Sequence, residues 1–219
     1  MKHFILTFSL AFTFMATAQH TYLALGDSYT ICEGLEYEQT WPYHLSEFFS
    51  SQGEKTLPPK IIATTGWRTD ELIDATKEEL KDETYDIVSL LIGVNNEYQG
   101  KPFSKYEKEL RELLEIAISR CKTKHHGVFM LSIPDYGVTP FAVVKGKTNA
   151  IETLDKYNAF AQELCKEYGI AFFNITELSQ NLSKDEFYLH TDKLHPNEKQ
   201  YLAWMDSYKK DLFELLFDN

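Results

Sequence analysis

Apolar, β-rich runs alternate with helix-period segments along this chain, and that alternation restricts the fold more than any other feature. Residues 22–26, 60–64, 86–93, 127–133 and 170–175 read as strands. The run 86–93 is apolar on both faces, as a strand covered on both sides must be. Helical spacing marks 42–49, 69–80, 103–118, 150–168 and a last segment from Pro196 toward Phe217. In 103–118, Phe103, Tyr106, Leu110, Leu113, Leu114 and Ala117 recur on one face. Pro42 suits a first helical turn, Thr69 or Asp70 would cap the second helix, and Gly169 closes the fourth. Five strands separated by helices predict a parallel sheet with helices on both faces, a three-layer α/β/α sandwich built with right-handed crossovers. No linker and no repeat interrupts it, so residues 19–219 read as one domain. Two stretches resist this pattern. Residues 134–149 are expected to form a long loop, and 176–195 to be irregular apart from a short helix near Leu178.

The N-terminus reads as an address. Lys2 and His3 precede an apolar stretch, 4–15, broken only by Thr and Ser, and Ala16-Thr17-Ala18 supplies small residues for cleavage. This is the layout of a secretory signal peptide over residues 1–18, too short for a membrane span. The mature chain, starting near Gln19, is then exported to the periplasm or the medium and has no integral membrane segment. The net charge of −11 becomes −12 once Lys2 leaves with that segment. Such an acidic surface argues against nucleic acid as a partner, because phosphate binding needs a basic face. Cys32, Cys121 and Cys165 are too few for a disulfide scaffold. One bridge among them is left open, and a buried free thiol is the commoner fate. His125-His126 has no carboxylate or thiol at ligand spacing and reads as a surface pair, and no metal site is expected. His44 is assigned to packing on its helix. His190 either lines the site or is structural. The run 105–111 reads as a solvated helix face.

In open parallel sheets, ligands bind at the carboxyl ends of the strands. Those ends carry Gly26-Asp27-Ser28, Thr65-Gly66-Trp67 and Gly93-Val94-Asn95, and the loop 191–195 is expected to reach the same edge. Gly26 permits a tight turn that presents Ser28. A serine hydroxyl is a weak nucleophile until a base takes its proton, and His195 is the candidate base. Asp192, three residues earlier in the same loop, can orient the imidazole and stabilise its cation. The backbone N–H groups of Ser28 and Gly66 and the side-chain amide of Asn95 can meet a developing oxyanion. Trp67 and Tyr98 are candidates to line the pocket.

These blocks, Gly26-Asp27-Ser28, Gly66, Gly93-Val94-Asn95 and Asp192-Lys193-Leu194-His195, resemble in kind and order the four motif blocks of the SGNH hydrolases, the GDSL esterases and lipases. The resemblance spans residues 21–200. It implies a flavodoxin-like fold, no cofactor, and hydrolysis of an ester or thioester through an acyl-enzyme. Ser28 would then be the nucleophile, Asp192 and His195 would complete the triad, and Gly66 and Asn95 would be oxyanion donors. One position departs: the third block often reads Gly-x-Asn-Asp, and here the fourth residue is Asn96. Substrate preference or local packing, rather than the chemistry, is expected to change.

Two substrate classes stay open, an O-acetylated carbohydrate and a lysophospholipid or similar acyl ester. Tyr136, Val138, Phe141, Val143 and Val144 in loop 134–149 could form a lid or an apolar wall, while Trp67, Tyr98 and Trp41 could stack on sugars. Two non-hydrolytic readings stand beside these. One is a catalytically dead glycan-binding domain, and the other a flavin or phosphate binder, which the acids Asp27, Glu33 and Glu36 oppose. Oligomeric state is not legible.

Overall fold

The computed structural model describes residues 19–218. The segment 1–18, and with it the signal-peptide expectation, lies outside the described residues. Five strands, β1 (Tyr22–Gly26), β2 (Lys60–Ala63), β3 (Ile87–Leu91), β4 (Val128–Leu131) and β5 (Ala171–Phe173), form one sheet in the order β2-β1-β3-β4-β5. Every pairing is parallel. This is the flavodoxin-like doubly wound order, and its crevice falls between β1 and β3, where the winding reverses. Central strands β1, β3 and β4 are buried throughout, whereas the edge strands β2 and β5 are largely half-buried.

The helices are α1 (Ser28–Ile31), α2 (Trp41–Ser51), α3 (Thr69–Glu79), α4 (Val94–Tyr98), α5 (Phe103–Arg120), α6 (Pro140–Lys145), α7 (Ala150–Tyr168), α8 (Thr176–Ser183) and α9 (Glu198–Phe217). Helices α2 and α9 pack together, and α3, α5 and α7 pack side by side. Each group has an aromatic seam. Trp41, Phe129, Phe173 and Tyr208 meet on the first, and Phe103, Tyr106, Tyr157 and Phe160 on the second. Burying such rings is the main favourable term holding helices to a sheet.

Some local expectations change. Residues 134–149 are not a bare loop: a 3-10 turn at Tyr136–Val138 leads into α6, with Thr139 capping the N–H of Ala142 and Pro140 in the first turn. The cap of α3 is Arg68, not Thr69 or Asp70, and its N–H donates to Glu71 Oε2. The last helix starts two residues after Pro196, capped by Asn197. Trp41 is not an exposed stacking surface. It is buried, donating from Nε1 to the Tyr29 carbonyl. All three cysteines are free and buried.

Candidate active site

Register makes the carboxyl ends of three strands level. Gly26 pairs with Ala63 on one side and Leu91 on the other, so the turns after β1, β2 and β3 leave the sheet at one height. A Cβ on Gly26 would lie 2.4 Å from the Leu91 carbonyl and 2.0 Å from Thr30 Oγ1. Only glycine lets the chain turn this tightly against β3. Asp27 caps the following helical turn by accepting from the Tyr29 N–H (3.0 Å), and Ser28 is the first residue of that turn. Burial pushes the Asp27 carboxyl up to about 7, against the pull of backbone N–H groups that include those of Tyr29 and Gly93.

A cavity of about 110 Å³ opens at this edge. Ser28, Gly66, Asn95 and His195 all line it, with Tyr29, Thr65, Val94, Tyr98, Tyr136, Phe141 and Leu194. The first-turn N–H of Ser28 and the N–H of Gly66 have no partner in the protein among the described residues. Gly66 sits at φ +84°, and a side chain there would meet open space. Asn95 is held by a bond from Nδ2 to the Trp67 carbonyl (3.0 Å), which leaves its second amide hydrogen free. Three donors thus converge on one small, mostly apolar space.

His195 Nδ1 lies 2.6 Å from Asp192 Oδ2. The other carboxylate oxygen accepts from the N–H groups of Leu194 (2.9 Å) and His195 (3.0 Å). The loop is therefore wound around the carboxylate before the imidazole is reached. It closes on itself through the His190 N–H to the His195 carbonyl (2.7 Å), and α6 braces it through the Phe141 N–H to the Lys193 carbonyl. Burial raises the Asp192 carboxyl, but hydrogen bonds and the nearby imidazole outweigh it and bring it down to about 2. Tyr29 meets the His195 ring edge-on at 5.5 Å. Among the described residues no hydrogen bond joins Ser28 to His195. Such bonds often form only when substrate is in place.

Of the two candidate pocket residues, Tyr98 lines the cavity. Trp67 does not: its ring packs against the core, and only its backbone serves the site, through Asn95. Asn96 turns inward, fully buried. Its Oδ1 accepts from the Thr69 N–H (3.1 Å) and its Nδ2 donates to Thr69 Oγ1 (2.6 Å), tying α4 to the start of α3. His44 bonds Glu198 across α2 and α9 (3.0 Å). His190 lies outside the cavity with its ring against Gly34. His125 and His126 are exposed. Thr65, Val94 and Leu194 reach the cavity from the strand-end turns and the loop that the sequence placed at this edge, though without a role assigned to them, and Tyr29 joins them beside Ser28. For Tyr29, adjacency to Ser28 was the available signal.

A buried serine at a strand end, an aspartate-held histidine and clustered N–H donors define a serine-type hydrolase site. The family model for GDSL-like lipase/acylhydrolases matches residues 24–203. The chain belongs to that family and is an ester-hydrolysing enzyme. No curated protein matches it. Among solved structures it is similar to the psychrotrophic esterase EstA from Pseudoalteromonas sp., with a TM-score of 0.69 and 16% identity over 91% of this chain and 100% of that one. It is also similar to TesA, with a TM-score of 0.69 and 17% identity over 89% and 99% of the two chains. Axe2, an acetylxylan esterase from Geobacillus stearothermophilus, gives 0.67 and 17% over 88% and 94%.

Proposed function

We propose that the protein is an exported esterase that cleaves short-chain carboxylic esters through an acyl-enzyme on Ser28. The observation that carries this is the Asp192–His195 pair at 2.6 Å on the wall of a cavity that also holds Ser28 and the unpaired Gly66 N–H. Asp192 occupies Nδ1, so Nε2 is the ring nitrogen left to take the Ser28 proton. Ser28 Oγ attacks the ester carbonyl while His195 accepts its proton. The N–H groups of Ser28 and Gly66 and the Asn95 amide take up the charge on the carbonyl oxygen. His195 then protonates the departing alcohol. A water, deprotonated by His195 in turn, attacks the acyl carbon, and the acid leaves as His195 returns that proton to Ser28 Oγ. The Asp192 carboxyl stays ionised at neutral pH, which supports its role as partner of the transient imidazolium.

Cavity size supports a short acyl group. The pocket is small, about 110 Å³, and open on one side, so it seats a small acyl group while the rest of an ester extends out of its mouth. Apolar Val94, Tyr98, Tyr136, Phe141 and Leu194 suit an acetyl or similarly small acyl chain. A structure of EstA is described as inhibited by monoethylphosphonate, which supports trying an organophosphonate here. Export rests on residues 1–18.

The test compares parent and Ser28→Ala on p-nitrophenyl acetate, butyrate and octanoate, with fluorophosphonate labelling alongside. The parent is expected to prefer acetate, and the variant to lose a thousandfold or more and to escape labelling. Equal turnover by the two proteins, or an octanoate optimum, removes the mechanism or the short-acyl reading respectively. A folded parent that neither turns over nor labels would point to the non-catalytic glycan-binding domain.

A further inference from the structure

His195 is carried by a small hairpin. Leu189 and Pro196 form an antiparallel bridge, and the Asn197 N–H donates to the Tyr188 carbonyl at 2.9 Å. Inside this stem the His190 N–H donates to the His195 carbonyl at 2.7 Å, and the His190 carbonyl accepts from the Lys193 N–H at 3.0 Å. Asp192 Oδ1 holds the N–H groups of Leu194 and His195 as well. Residues 190–195 are thus tied to one another at every turn of the chain and shift as one body. Asp192 fixes how the imidazole is oriented inside the hairpin. It does not fix how close the hairpin comes to Ser28, which stands on α1. Among the described residues no hydrogen bond joins Ser28 to His195, so their approach is set by what each element rests on.

The turn that closes α1 supplies a second fixed point. The N–H groups of Cys32 and Glu33 both donate to the Ser28 carbonyl, which ties this turn to the nucleophile. Thr65 Oγ1 donates to the Glu33 carboxylate, which ties it to the residue before Gly66. The His190 ring rests on the next residue, Gly34. A Cβ at Gly34 would lie 2.4 Å from His190 Cε1, 2.6 Å from Nε2 and 2.7 Å from Nδ1. The ring therefore presents that edge to the Gly34 backbone and fills the space a side chain would take. We propose that His190 is a positioning residue whose ring, seated on Gly34, sets the distance at which the hairpin brings His195 to Ser28. The inference rests on the esterase reading above and adds a residue to it. His190 lies outside the cavity and acts only through the hairpin. The turn 32–34 then registers nucleophile, Gly66 loop and base against one another. Placement of this kind matters to rate, because a shift of about 1 Å in a catalytic group can cost on the order of 10²-fold.

A double-variant cycle on p-nitrophenyl acetate tests this, with kcat and KM measured separately and thermal unfolding confirming that each variant is folded. His190→Ala removes the ring and is expected to lower kcat about tenfold or more, with KM within about twofold of the parent. Gly34→Ala drives a methyl group into the ring and should lower kcat by a similar factor. In the double variant the methyl group has room, so kcat should fall no further than in His190→Ala. Such non-additivity marks two residues that act through one contact. His190→Ala with the parent's kcat, a loss that appears in KM alone, or single losses that multiply in the double variant each overturn the positioning role. Turnover that survives Ser28→Ala overturns the esterase reading, and this proposal with it, and shows itself in a different variant.

Discussion

At the scale of single residues, Gly66 separates geometry from bulk. Its φ of +84° is a conformation that a side chain makes costly, yet a Cβ there would touch nothing. Steric conflict therefore contributes nothing to the effect of Gly66→Ala. What remains is backbone strain of about 1–3 kcal/mol, which the chain relieves by rotating the peptide and turning the N–H away from the cavity. Losing one oxyanion donor costs about 2.7–4 kcal/mol of transition-state stabilisation. We expect kcat for p-nitrophenyl acetate to fall on the order of 10²–10³-fold with KM changed little, because the donor acts on charge that develops only in the transition state. Steady-state kinetics checks it. A variant that raises KM and leaves kcat intact would show Gly66 to be a wall of the site and no donor. The convergence of Ser28, Gly66, Asn95 and His195 on one cavity was legible because each sits just past a strand end or in the loop before the last helix. Trp41 and Trp67 misled because a ring's exposure depends on what folds over it. Trp41 is covered by the α2–α9 layer, and Trp67 faces the core beside α3.

At the scale of elements, Asn96 explains its own departure from the family pattern. Thr69 Oγ1 donates to Glu109 Oε2 at 2.5 Å, so its lone pairs are free to accept from the Asn96 amide. An aspartate at 96 could only accept. It would compete with Glu109 for the single hydroxyl proton and set two carboxylates around one buried threonine. Asn96→Asp is therefore expected to destabilise by about 1–3 kcal/mol, or roughly 2–12 °C in Tm for a domain of this size. Glu109→Gln added to it should restore part of the loss. Calorimetry on the three variants checks the coupling, and additive losses would show that the two side chains do not communicate. The five strands were readable because continuous apolar runs of their length have few other uses in an α/β chain. The one-turn helices α1 and α4 were not, since a single turn shows no periodicity. Helix α6 was hidden the same way: six residues with exposed Val143 and Val144 present no amphipathic pattern. Its Thr139 cap and Pro140 were the available signals.

At the scale of the whole molecule, Asp27 and Asp192 pull the pH dependence of stability in opposite directions. Burial raises the Asp27 carboxyl to about 7 from an ordinary value of 3.8, so the folded state binds a proton that the unfolded chain has released. Stability from this group falls as pH rises from about 4 through 7. The Asp192 carboxyl, lowered to about 2, contributes stability above the ordinary carboxylate range that disappears as pH falls through 2. Its share is small because the side chain is 37% exposed and screened by solvent. Together they place the most stable pH on the mildly acidic side for these two groups. Asp27→Asn isolates the larger effect. The amide keeps an oxygen to accept from the Tyr29 N–H and has no proton to lose, so the penalty above pH 4 vanishes. Thermal unfolding from pH 4 to pH 9 should give curves that nearly coincide at the acid end and diverge with rising pH. The variant should be more stable by several degrees at pH 8, with the gap levelling off once pH passes 7. Parallel curves would mean that Asp27 ionises in the folded protein as readily as in the unfolded chain. Burial would then impose no net desolvation cost on the Asp27 carboxylate that accepts from the Tyr29 N–H.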